Sequence, residues 1–131
     1  MADRTRWWWL LTMLCAINVQ SRCIEWPPDF QDSYAAADEI LLVEANTLEN
    51  SDIDFHVNKV RYSVLERFKG VDDHDNYAYN SSETGHHIRM KPGGKYILFL
   101  LKEDRVASIC RGSREYTPDD PFLHKLRKNS S

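Results

Sequence analysis

The sequence predicts an all-β-dominated domain, a small closed antiparallel barrel of five or six short strands with a short helix at each end. Three observations carry this. Mostly apolar or alternating runs of strand length recur along the chain, among them Glu39 to Ala45, Val60 to Val64 and Lys95 to Leu101, the last following the turn signal Lys91-Pro92-Gly93-Gly94. Apolar residues at helical spacing occur near the two ends, at Phe30, Tyr34 and Ala37 and at Phe122, Leu123 and Leu126. Strands do not alternate with helices as a parallel sheet requires, so the short strands are expected to close on themselves.

Residues 1–21 read as a secretory signal peptide. Arg4 and Arg6 form the positive flank, Trp7 to Ile17 is apolar but for Thr12, and Val19 and Ser21 stand at -3 and -1 of a cleavage site. The stretch is too short to span a bilayer as a helix, and the best later candidate, Tyr96 to Leu101, is six residues long. A secreted, extracellular product without membrane attachment is expected, with one domain over residues 22–128 and an unstructured tail over 129–131.

Within that domain, Pro27 and Pro28 keep the first residues extended, and Asp29 is placed to cap a helix beginning at Phe30. Glu39 to Ala45 is the first strand, and a second, alternating strand ends at Lys69-Gly70. Tyr77 and Tyr79 begin a weak third strand after the acidic turn around Asp72, and His86 to Met90 is a candidate fourth. Lys95 to Leu101 is the clearest strand, and Val106 to Cys110 is expected to be the last. Thr117 followed by Pro118 and Asp120 predicts the start of the terminal helix, with Lys125, Arg127 and Lys128 suiting its C-terminal end. Val43, Val64, Tyr96, Leu98 and Leu100 are expected to face the core.

Cleavage after Ser21 leaves 110 residues with 15 basic and 19 acidic side chains, a net charge of -4 with histidine neutral. That balance carries no electrostatic footprint for nucleic acid or for an anionic membrane. Cys15 leaves with the signal peptide, and Cys23 and Cys110 remain at opposite ends of the domain in an oxidising compartment. One disulfide between them is expected, with free thiols or an intermolecular bridge as the alternatives. Closing a loop of 88 residues stabilises a fold by roughly 4 kcal/mol in the chain-entropy treatment.

The order of these features resembles the netrin-like module, whose best-known members are the tissue inhibitors of metalloproteinases. The resemblance rests on Cys23, the short aromatic-containing helix, Ala37-Asp38 leading into a buried strand, Phe68-Lys69-Gly70, Gly93-Gly94-Lys95-Tyr96-Ile97-Leu98 and the closing Cys110. It implies a five-stranded barrel of the oligonucleotide/oligosaccharide-binding type with flanking helices. It also implies a monomer that is not an enzyme and carries no cofactor or metal of its own. In the inhibitors the mature chain begins with a cysteine whose α-amino group and carbonyl chelate the protease's zinc, which implies protease-contacting roles for Cys23, Ile24 and Glu25. Extracellular zinc metalloproteinases are then the expected partners; the alternative is a non-inhibitory module that binds matrix or growth-factor proteins.

The chain departs from the inhibitor pattern at several points. Cys23-Ile24-Glu25 replaces Cys-any-Cys, Ile24 is bulky where the family has a small polar residue, and the region from Asn80 to Met90 lacks a cysteine. Arg22 precedes Cys23 at the most regular cleavage site, and its amide linkage would block the chelating amine.

Other constellations carry less. His74, His86 and His87 with Asp72, Asp73 and Asp75 meet no metal-ligand spacing, and adjacent strand histidines point to opposite faces. Tyr62, Tyr77, Tyr79, Tyr96 and Phe99 could form a stacking platform for a sugar or nucleic acid, but core packing explains them better in an acidic secreted chain. Asn80-Ser81-Ser82 fits the N-glycosylation pattern in an expected loop.

Overall fold

In a computed structural model the protein is described over residues 27–50, 57–72, 75–81 and 88–130. The expected signal peptide, residues 1–21, lies outside these residues. Helix α1, Phe30–Ala36, starts where Asp29 Oδ2 accepts from the Asp32 N–H at 3.1 Å, and it stops at Ala37, whose own N–H reaches Ser33 O at 3.2 Å. Phe30, Tyr34 and Ala37 pack in one cluster, as their spacing predicts.

Five strands follow: β1 Glu39–Asn50, β2 Val57–Lys69, β3 Tyr77–Ser81, β4 Lys95–Leu100 and β5 Arg114–Glu115. They form one antiparallel sheet in the order β3-β2-β1-β4-β5. The two middle strands are covered on both faces, which is why β1 and β4 read as nearly continuous apolar runs. Leu41, Val43 and Ala45 of β1 join Tyr96, Leu98 and Leu100 of β4 on one face, together with Val60 and Tyr62. Ile40, Leu42, Ile97 and Phe99 point the other way, against Phe30 of α1 and Leu123 and Leu126 of the terminal helix. Of the five expected core residues, Val43, Tyr96, Leu98 and Leu100 are buried and Val64 is partly so.

The sheet is open, so the expected closed barrel is corrected. Among the described residues, neither of two expected strands builds a ladder. Residues 88–90 are irregular, and the segment from Val106 to Cys110 carries isolated bridges at Val106, parallel to Tyr79, and at Ser108. Tyr79 N–H donates to Arg105 O and Ala107 N–H to Tyr79 O, each at 2.9 Å, while Ile88 N–H donates to Ala107 O at 3.1 Å. The chain then coils into a 3-10 turn at Ile109–Arg111, capped by Ser108 Oγ accepting from Cys110 N–H at 3.2 Å. A coil of this kind cannot continue a ladder, so Ile88, Met90 and Ala107 cover the inner face as separate contacts. Three register shifts along the β1–β2 pair accompany the ladder, and such bulges bend a sheet locally.

Strand β5 had no signal in the sequence because it is only two residues long. Gly112, at φ 105°, reverses the chain into it. Ser113 then seals the neighbouring edge of β4, its Oγ accepting from Phe99 N–H at 2.9 Å.

Helix α2, Pro121–Ser130, begins three residues later than Thr117-Pro118 suggests. Thr117 instead opens a turn, accepting from Asp120 N–H at 3.2 Å. Asp120 is the effective cap: its Oδ1 accepts from Phe122 N–H at 2.9 Å and from Arg114 Nη1 at 3.1 Å, and Pro121 takes the first helical position. The later start puts Leu123 and Leu126 on the sheet, both fully buried. Asn129 and Ser130 continue the helix, which corrects the expected unstructured tail at those two positions.

Candidate functional site

Cys23, Ile24 and Glu25, the expected protease-contacting residues, lie outside the described residues. Their counterpart at the other end of the domain is in view. Cys110 is disulfide-bonded, and the chain's other cysteines, Cys15 and Cys23, both lie outside the described residues. Its turn is held at the neighbouring position by a two-pronged ion pair, Arg111 Nη1 and Nη2 to the Asp104 carboxylate at 2.7 and 2.8 Å. Paired geometry of that kind is the stronger sort of surface ion pair.

Asn80, the expected glycosylation site, lies on β3 and not in the expected loop. The residue is buried, and its Nδ2, the atom a glycan would occupy, donates to Ile88 O at 3.3 Å. Alternation along β3 explains this, since Asn80 shares the inward face with Ala78. A glycan on that nitrogen would push the 88–90 segment off the sheet. Peptide mapping of the protein expressed through a eukaryotic secretory pathway is therefore expected to find Asn80 unmodified. A glycopeptide spanning it would show that β3 does not pair as described.

The five aromatics divide into two groups. Tyr62, Tyr96 and Phe99 are buried in the two core clusters, as core packing predicts. Tyr77 and Tyr79 are half-buried, with their ring centroids 5.5 Å apart at an interplanar angle of 75°. Beside them the turn after β4 forms the wall of a cleft of about 430 Å³, to which Lys102, Glu103, Val106 and Val57 contribute.

Arg105 builds this wall. It is the one non-glycine residue with positive φ among those described, at 52°, and the strain of that conformation must be offset by its contacts. Its guanidinium lies against the Glu39 carboxylate through two contacts of 3.4 Å, donates to Tyr62 Oη at 3.0 Å and to Tyr77 O at 2.9 Å, and lies 4.9 Å from the Tyr77 ring centroid. Arg105 and Glu39 are both buried. The cluster therefore ties the start of β1, the middle of β2, the start of β3 and the turn after β4 to one cation.

Burial pushes the Tyr62 phenol up to about 12; the charge of Arg105 opposes this and that of Glu39 adds to it. The folded protein thus prefers the neutral phenol. Its contribution to stability is complete below pH 10 and is lost between pH 10 and about 12, a change of roughly 3 kcal/mol. Urea unfolding as a function of pH should show this alkaline loss, and Tyr62→Phe should reduce it. An unchanged alkaline slope in that variant would place the effect elsewhere.

No signal in the sequence singled out Glu39 or Arg105. They stand 66 positions apart, Glu39 at the head of an apolar strand and Arg105 in a turn that reads as solvated charge. Lys102 and Glu103 were legible only as a charged turn. His74, His86 and His87 lie outside the described residues, and among the described residues no three metal-ligating side chains cluster.

Comparison with known protein families finds no family model that matches the chain, and comparison with curated proteins finds no match.

Proposed function

We propose that this chain is a secreted netrin-like domain that inhibits zinc metalloproteinases through the amino group and carbonyl of Cys23. The observation that carries the reading is the disulfide at Cys110. With Cys15 removed in a signal peptide, Cys23 is the other cysteine of the mature chain, and a bridge between them would fasten the N-terminal segment to the turn after β4. A fastened terminus loses little conformational freedom on binding, so more of its contact energy appears as affinity.

The chemistry follows from the metal. Catalytic zinc keeps one coordination position open for water or substrate, and a neutral amine with its carbonyl can displace that water. Ile24 would then enter the protease's specificity pocket, with Glu25 beside it. An amide nitrogen has no such lone pair to give, so Arg22 must be absent from the active form.

Protein prepared to begin at Cys23 is expected to inhibit members of a panel of zinc metalloproteinases, and acetylation or an added N-terminal alanine should abolish inhibition without unfolding the domain. A folded Cys23 form that inhibits nothing, or a blocked form that inhibits equally well, would replace this reading with the non-inhibitory matrix-binding module.

A further inference from the structure

We propose that the cleft between β3 and the turn after β4 binds one or two rings of a neutral saccharide. No cysteine lines this cleft among the described residues, and the proposal stands whether or not the chain inhibits a protease.

Its volume, about 430 Å³, is within the range of small-ligand sites. Two tyrosines give it an aromatic surface. Lys59 Nζ lies 4.4 Å from the Tyr77 ring centroid and the Arg105 guanidinium 4.9 Å, whereas among the described residues no cation lies over Tyr79. Tyr79 is thus the ring left to stack with a ligand, and Tyr77 is the ring fixed behind it. The exposed side chains of Lys102 and Glu103 add a donor and an acceptor of opposite charge at the rim.

This combination matches the chemistry of a sugar. A pyranose ring presents a face of C–H groups that packs on an aromatic ring and an edge of hydroxyls that both donate and accept. A polyanion fits less well, because Glu103 and Asp104 both line the cleft. A wholly apolar ligand would strip water from Lys102 and Glu103 without replacing it.

The walls are set before any ligand arrives. Lys102 N–H donates to Asp38 Oδ2 at 2.7 Å, Asp104 is gripped by Arg111, and Arg105 is fixed by Glu39, Tyr62 and Tyr77. A site held in this way loses little entropy on binding.

The test is an amide-shift titration of the isotope-labelled folded protein with chitotriose, maltotriose and lactose, alongside a heparin tetrasaccharide and a thymidine oligonucleotide. At least one neutral sugar should move the amides of Tyr77, Ala78, Tyr79 and the 102–106 turn. Tyr79→Ala should weaken binding about tenfold, as the loss of one aromatic stack does, and Tyr79→Phe should retain it. Lys102→Ala, at an exposed side chain, serves as a second probe should Tyr79→Ala unfold, and is expected to weaken the same sugar. The proposal is overturned if no neutral sugar shifts these amides up to its solubility limit, if both alanine variants bind as well as the parent, or if only the sulfated sugar or the oligonucleotide binds there.

Discussion

Arg105→Met is expected to destabilise the domain by about 3–5 kcal/mol, the range seen when one partner of a buried ion pair is removed. The size of the effect comes from what stays behind. Glu39, 6% exposed, keeps a carboxylate whose described cationic neighbour is gone, and Tyr62 Oη loses the guanidinium donor at 3.0 Å. Methionine has a similar length and no charge, and it retains the backbone strain at φ 52°, so the difference reports the lost polar contacts and not the turn. Urea unfolding at neutral pH measures it. The double variant Arg105→Met with Glu39→Met should recover a large part of the loss, since both members of the buried pair are then replaced by apolar side chains together. A single variant within half a kcal/mol of the parent would mean that the guanidinium is hydrated and does not pin the strands. Because Arg105 also forms one wall of the cleft, the same variant should loosen the 102–106 turn, visible as faster amide exchange there.

Much of the strand layout was legible because both faces of the two middle strands are buried. Glu39 to Ala45 and Lys95 to Leu101 read as continuous apolar runs for that reason, and the Pro-Gly-Gly turn fixed where the second of them starts. The cap of α1 was equally plain, since Asp29 follows two prolines that exclude helix. At the other end a Thr-Pro and an Asp-Pro combination stand within five residues. Thr117-Pro118 carries a capping signature, but the helix starts at Pro121, where Asp120 Oδ1 accepts from Phe122 N–H and from Arg114 and adds an ion pair to a cap worth about 1 kcal/mol. The closed barrel was an inference from strand number, and closure depends on the final segment lying flat against β3. Val106 does so, but the segment forms only isolated bridges before the turn at Ile109 takes the chain away, a long-range outcome that no local pattern encodes. The candidate site was legible only in part for a related reason. Tyr77 and Tyr79 stood out as aromatics, but their separation from Tyr62, Tyr96 and Phe99 depends on strand register, and the wall opposite them is formed by a turn that reads as ordinary solvated charge. Asn80 was misread because its sequence context is that of a loop while its alternation with Ala78 is that of a strand.

Phe99→Ala should produce a loss of about 3–5 kcal/mol, the usual range for deleting a buried aromatic. Phe99 is the largest of the fully buried side chains and sits on the face of β4 that meets the helices. Its surroundings have little room to collapse into the void. The backbone of Phe99 is paired to Ile40 of β1 on one side and clamped by Ser113 Oγ on the other, and α2 is held in place by the Asp120 cap with its Arg114 partner. The neighbouring Phe122 ring, 6.0 Å away at 63°, loses its edge contact as well. Gly112 supplies an internal check. A Cβ there would lie 3.2 Å from the Phe99 ring, and its φ of 105° is one that other residues rarely adopt. Gly112→Ala is therefore expected to destabilise the parent through backbone strain and contact with both the Phe99 ring and Ser33 Cβ, 3.3 Å away, but the Phe99→Ala background through backbone strain and the Ser33 contact only. The difference between the two costs isolates the packing contact in a double-mutant cycle followed by urea unfolding. For comparison, Leu65→Ala, at a side chain 49% exposed, should change stability by no more than about 0.5 kcal/mol. If Phe99→Ala proves as mild as Leu65→Ala, or if Gly112→Ala costs the same in both backgrounds, then the helices do not pack against this face of the sheet and the two-faced burial that defines β1 and β4 is wrong.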